Sequence, residues 1–269
     1  MTATLLRGPG LLWQWRGFIA SSVGRELQAR YARSLLGGVW LILPPLVMIA
    51  VYAVVFTHLM RGAGLPDHGP YTYSVFLCAG MLTWQWFSEL LTRALAVFTQ
   101  HAALIRKTTV PWVVLLTCDT LVATAGLAIQ VLLLVALLLG VGLWPGWSLV
   151  AALPVLFVQG LLAVAIGLLL SVFQVFFRDV GLAVPLVLQF LFWLTPIVYP
   201  SGILPSALTP WLGWNPLIPI VEAYQSIVVP GYGQIDWLAI GHTALIALAI
   251  LALALILVRR NLGAIRDEL

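Results

Sequence analysis

Charge is what this chain has least of. Asp, Glu, Lys and Arg make up 8% of its 269 residues, against 62% hydrophobic ones, where ordinary soluble domains carry about 25% charged residues. So few charges cannot furnish a water-facing surface, because much of a soluble protein's exterior needs polar cover. The solvent this sequence expects is lipid. Cysteine is scarce too: Cys78 and Cys118 fall in apolar runs without metal-type spacing and read as small core residues. His58, His68, His101 and His242 are scattered and unpartnered, which offers no metal site. There is no G-x-x-x-x-G-K-[ST] run, so the chain is not expected to hydrolyse ATP itself. Coupling-ion ligands and suitably spaced external acid pairs are missing as well, which weakens ion-driven transport and membrane glycosyl transfer. The net charge of +4 gathers on no soluble module, so nucleic acid is not an expected partner.

What is present is a series of charge-free runs, and about 20 apolar residues cross a bilayer as a helix. Residues 34–60 hold a first span, Val39–Leu59, and Tyr71–Phe87 is a shorter, aromatic-rich second. From Thr120 to Phe177 no charge occurs, which is room for two spans, with "GVGLWPGW" (140–147) as a Gly/Pro hairpin between them. Val180–Tyr199 and Trp237–Val258 complete six. With the N-terminus inside, twelve of the thirteen Lys and Arg are cytoplasmic, that is, all but Arg61. That excess agrees with the positive-inside rule. An even span count and two cytoplasmic termini therefore support each other. A cleaved signal peptide is a poor alternative, since Gln14 and Arg16 interrupt the apolar stretch after Arg7.

The stretch 199–236 has no basic residue and carries Pro200, Pro205, Pro210, Pro216, Pro219 and Pro230. Its apolar pieces are too short to cross, so they read as helices that dip in and return; an amphipathic cap on the outer surface is the alternative. Acids inside membranes default to function. Glu89 and Arg93 stand at i, i+4 in the favourable order and are expected to pair. Asp119 lies about 12 Å along a helix from Pro111 at about 1.5 Å per residue. It is expected at a helix–helix contact or an aqueous cavity, because a lone Asp at depth costs about 3 kcal/mol. Glu222, in the external region, is the stronger functional candidate.

Five segments together resemble one family. They are "RELQARYARSLLGGVW" (25–40), "ALIRKTTVP" (103–111), "FRDV" (177–180), "TPIVYP" (195–200) and "NPLIPIVEAYQ" (215–225). Their content and order are similar to the permease subunits of type-2 ABC exporters for cell-surface polysaccharide, the O-antigen and teichoic-acid class. Pro44 and Trp112 depart from that pattern. The resemblance implies an all-α polytopic membrane protein of the inner membrane that acts as a homodimer with two cytoplasmic ABC ATPase subunits. ATP and Mg would sit on those partners, with no cofactor in this chain. The substrate would be a polysaccharide on an undecaprenyl-type lipid. Residues 1–36 would hold an amphipathic N-terminal interface helix, 37–258 the six spans and 259–269 a cytoplasmic tail. The loop 93–110 would carry coupling, and 200–236 the re-entrant helices before the last span. A drug or small-lipid exporter permease shares this fold class and stays open, as does a membrane-embedded glycan-processing enzyme.

Candidate residues follow. Arg25, Arg30 and Arg33 flank an apolar stripe, Val23, Leu27, Tyr31 and Leu35. They anchor at lipid phosphates, where each is worth about 1 kcal/mol, and are candidates to meet a lipid-linked pyrophosphate. Leu104 and Ile105 suit a groove on an ATPase, with Arg106 and Lys107 for acidic or phosphate groups. Aromatic faces stack on sugars without trapping them. Tyr52, Phe56, Trp84, Phe87, Phe190, Trp193 and Tyr199 are therefore candidates to line a path, although aromatics also pack helices and populate interfaces. Asn215, Glu222 and Tyr224 are the expected external gate.

Overall fold

The computed structural model describes residues 8–29, 71–142, 146–203 and 213–269, with isolated positions at 39, 43, 46–48, 50, 51 and 66. Among the described residues every regular element is a helix, without a strand. Two N-terminal helices, α1 (Gly8–Gln14) and α2 (Arg16–Ala29), precede the long α3 (Thr72–Gln100). A six-residue α4 (Ala102–Lys107) then leads into α5 (Trp112–Val141). A 3-10 turn (Gly146–Ala151) enters α6 (Ala152–Phe176), followed by α7 (Asp179–Leu194), α8 (Ile218–Val228) and α9 (Trp237–Glu268). Most of the first expected span lies outside the described residues, as do Arg30, Arg33, Tyr52 and Phe56.

Local chemistry sets the boundaries. Pro111 is extended at φ −67°, ψ 138° and starts α5 where its missing N–H costs nothing. Gly142 ends α5 at φ +77°, a left-handed conformation that glycine adopts freely, and Gly146 repeats it at φ +63°. The helix therefore breaks at the glycines of the expected hairpin, whose residues 143–145 lie outside the described ones. Asp236 caps α9 by accepting the Ala239 N–H at 3.0 Å. The helix α7 stops at Leu194, earlier than the expected Tyr199. Thr195 precedes a proline and is driven to an extended ψ of 134°. Conversely, α3 does not stop near Phe87 but continues to Gln100, the Glu89–Arg93 pair riding on its surface rather than ending it.

Three of the described helical segments are long and apolar enough to cross a membrane: 112–140, 146–176 and 237–268. They and their neighbours are apolar outside as well as inside. Leu132 on α5, Leu182 and Val187 on α7, and Leu238 and Leu245 on α9 are all more than half exposed. Lipid is the solvent that tolerates such a surface.

The bundle centres on α3 and α6. Against α6 lie α3 and α9, while α5 and α8 pack on α3. Gly167 makes the α3–α6 crossing possible: a Cβ there would stand 2.6 Å from both the Ala94 Cβ and the Leu91 carbonyl oxygen. Gly160, two turns away, faces the Trp86 ring in the same crossing. Polar bonds add register: the buried Gln159 donates to the Thr83 carbonyl at 2.7 Å.

Candidate functional site

At one end of the bundle α3 turns into α4 through His101, and α4 turns back into α5 through Pro111. Ile105 points inward at 6% exposure, packed in a cluster with Phe98, Trp112, Val172 and Val258. Leu104 is exposed, as are Arg106 and Lys107. The expected pair of outward apolar residues is therefore split. Six residues make under two turns, so Leu104 and Ile105 point in different directions, and Ile105 anchors the helix to its own chain. Trp112, one of the departures from the family pattern, is buried with its ring 6.0 Å from that of Phe98.

The acid at depth has a partner after all. Asp119 is 1% exposed, and its carboxylate oxygens lie 3.1 and 3.2 Å from His101 Nε2. His101 is therefore not unpartnered: the tight α3–α4–α5 path folds it back onto the first turns of α5. The sequence signal was a lone acid in an apolar helix, which requires a donor nearby.

Arg93 makes the other charged cluster. Its Nη1 meets Glu26 at 2.9 Å and its Nε meets Glu89 at 3.0 Å. The expected Glu89–Arg93 pair forms, and the additional Glu26 bond ties α2 to α3. The helix α2 also packs on α5 through Ile19 against Val114 and Cys118, with Phe18 and Val23 alongside. Arg25 is exposed and donates to the Ser22 hydroxyl at 3.1 Å.

At the opposite end, two of the family-like segments are stitched together by side-chain amides. Asn215 donates to the Thr195 hydroxyl at 3.0 Å while its own oxygen accepts the Leu217 N–H at 3.0 Å. Gln225, fully buried, donates to the Pro196 carbonyl at 3.0 Å. A Cβ at Gly80 would meet the Ile197 carbonyl at 3.0 Å and this same amide at 3.1 Å, so glycine admits the crossing. Tyr224 is buried in the core rather than facing the outside, because its helical position points toward α3 and α6.

Glu222, half-buried, faces two cavities. One of about 630 Å³ is lined by Ser201, Glu222, Ser226, Tyr232 and Gln234 among others. The second, of about 410 Å³, reaches Ser201, Trp214, Asn215, Glu222, Asp236 and His242. Burial, together with the Glu222 charge, pushes the Tyr232 phenol up, and its bond with Ser201 opposes this. Tyr232 therefore stays a neutral hydroxyl.

The aromatic candidates divide. Trp84 is half-buried, its ring 5.9 Å from Phe87 and 5.6 Å from Phe192. Phe87 is buried at 1% and supports Trp84 from behind instead of lining a surface. Phe190 and Trp193 are outward on α7, both more than half exposed, and Tyr199 donates to the Trp193 carbonyl at 2.6 Å. Trp214, exposed beside the second cavity, was not singled out from sequence. Its proximity to Asn215 in a Pro/Gly-rich stretch was the available signal.

Long helices that are apolar outside as well as inside, around a polar, cavity-bearing end, define a membrane protein. The chain belongs to the ABC-2 type transporter family, whose model matches residues 19–229. It is 31% identical over 218 residues to the O-antigen export system permease protein RfbA of Myxococcus xanthus, covering 80% of this chain and 82% of that one. A protein of the same name from Klebsiella pneumoniae is 27% identical over 232 residues, with 86% and 87% covered. The polysialic acid transport protein KpsM of Escherichia coli is 26% identical over 241 residues, with 87% and 90% covered.

Proposed function

We propose that this chain is the permease subunit of an ATP-driven exporter that carries a lipid-linked, O-antigen-like polysaccharide across the inner membrane. Two copies form the channel, and two cytoplasmic ABC ATPases supply ATP and Mg. The observation that carries the reading is the similarity, over four-fifths of the chain or more, to permeases named for O-antigen export and to one named for polysialic acid transport. Each copy contributes six spans with both termini cytoplasmic, the first span formed by 39–59. The helix α2 lies at the cytoplasmic interface, where Arg25, Arg30 and Arg33 greet the lipid phosphates. The helix α4 receives force from the ATPase through Leu104, Arg106 and Lys107. On the outer side α8 is re-entrant, and Asn215 and Glu222 belong to the gate. Trp84, Phe190, Trp193 and Tyr199, with Tyr52 and Phe56, offer stacking faces to the passing sugar.

The test is reconstitution with the ATPase in proteoliposomes and measurement of glycan translocation. ATP-dependent export is expected, and its absence with a lipid-linked glycan would sink the proposal. Arg106→Glu with Lys107→Glu should uncouple ATP turnover from export while leaving stability within about 0.5 kcal/mol, as surface changes do. Stimulation of the ATPase by small lipids but not by lipid-linked glycan would point instead to a small-lipid exporter.

A further inference from the structure

We infer that the two cavities flanking Glu222 form one sugar-binding vestibule that selects uncharged glycan over polyanionic glycan. The inference rests on the exporter reading and deepens it by naming the charge class of the substrate. The cavities, about 630 and 410 Å³, share Ser201 and Glu222 as their common wall. Each falls in the range of about 300–1,000 Å³ in which small ligands are held, so the pair forms adjoining compartments for successive sugar units.

The groups in the walls suit hydroxyls. Ser201, Ser226, Tyr232 and Gln234 face the first compartment, and Asn215 and Thr243 the second. Trp214, 87% exposed at the second, presents a flat face on which a pyranose ring stacks. A carboxylate is a strong acceptor for a sugar O–H, and Glu222 stands where both compartments can use it.

The same walls disfavour anions. Among the described lining residues neither compartment has a lysine or arginine, and His242 is the one side chain that can become a cation. The sequence from 179 to 258 has no Lys or Arg at all. Helix N-termini ordinarily attract anions, but the two that reach this region have part of their N–H groups taken or missing. The Ile218 N–H that starts α8 bonds the Asn215 carbonyl and Pro219 has no N–H, while Asp236 takes the Ala239 N–H at the start of α9. An acidic polymer would meet Glu222 and Asp236, with only His242 among the described lining residues able to offset them, and like-charge juxtaposition is how binding sites reject a wrong partner.

The test compares two probes of equal length, maltohexaose and hexagalacturonate, titrated by calorimetry into the purified full-length chain in detergent. Maltohexaose should bind at least about tenfold more tightly at low salt, and screening at about 0.5 M salt should narrow the difference. Glu222→Gln with Asp236→Asn should narrow it too, by strengthening hexagalacturonate binding; Asn keeps a cap acceptor for α9. Equal or tighter binding of hexagalacturonate overturns the inference, as does binding of neither probe, or a difference that survives both salt and the double variant. ATP-driven export by the unaltered chain with its ATPase reads the exporter proposal separately. If export runs while the two probes bind alike, the inference alone falls.

Discussion

At the α4 end, acidic and basic side chains meet one another: Arg93 joins Glu26 to Glu89, and His101 meets the buried Asp119. At the α8 end, the polar contacts are amides on carbonyls and hydroxyls, through Asn215 and Gln225, and the carboxylate of Glu222 faces open cavities. On the proposed exporter reading, the difference matches two tasks. An end that transmits force must move as one piece, and the side-chain pairs between α2, α3 and α5 fix its members to one another. An end that passes a hydroxylated polymer needs a built frame with unoccupied polar groups in front of it.

Both ends depend on the α3–α6 crossing, so the largest disruption should come from its centre. Gly167→Leu places a side chain where even a Cβ lies 2.6 Å from the Leu91 carbonyl. The backbones must part, and overpacking of this kind costs about 3 kcal/mol or more. The expected outcome is loss of the monodisperse peak in detergent size-exclusion. A normal peak with unchanged melting would show that the crossing yields easily and that the two ends are not joined through it.

Breaking the α4 end comes next. His101→Leu leaves Asp119 buried without its partner, a change worth about 3 kcal/mol. Asp119→Asn keeps a polar contact with the ring and should cost about 1 kcal/mol. Thermal melts of the pair of variants read the difference, and equal losses would mean that the contact is incidental.

The α8 end should respond less to a comparable cut. Asn215→Ala removes the bond to the Leu217 N–H and the bond to Thr195, together about 1–2 kcal/mol. Because that frame borders the second cavity, maltohexaose binding should weaken along with melting. For His101→Leu, sugar binding should hold in the fraction that stays folded. Equal sugar loss in both variants would erase the distinction between the ends.

Much of this organisation was legible in the sequence, for physical reasons. Charge scarcity named the solvent, glycines at 142 and 146 named a helix break, and Glu89 with Arg93 named a pair one helical turn apart. What was not legible depends on chain reversal. His101 and Asp119 are eighteen positions apart, and Glu26 and Arg93 sixty-seven, so no local period links them. The inward turn of Ile105 likewise depends on α6 and α9, which supply Val172 and Val258 against it. The shortened α7 could have been foreseen, since Pro196 restricts Thr195 whatever surrounds it.

The smallest expected effect is also the most local. Arg93 is partly shielded, its side chain 13% exposed and Glu26 32% exposed, so solvent screens their attraction. Arg93→Ala should therefore cost only about 1 kcal/mol. Since Ile19 still packs on Val114 and Cys118, α2 should remain docked at its centre while its last turn loosens. Hydrogen exchange should quicken over 25–29, with little change in α5. If exchange stayed unaltered, the clip between α2 and α3 would contribute nothing beyond the apolar contact. If the whole of α2 exchanged freely, one screened ion pair would outweigh a packed apolar face, and the α4 end would be held by charge rather than helped by it.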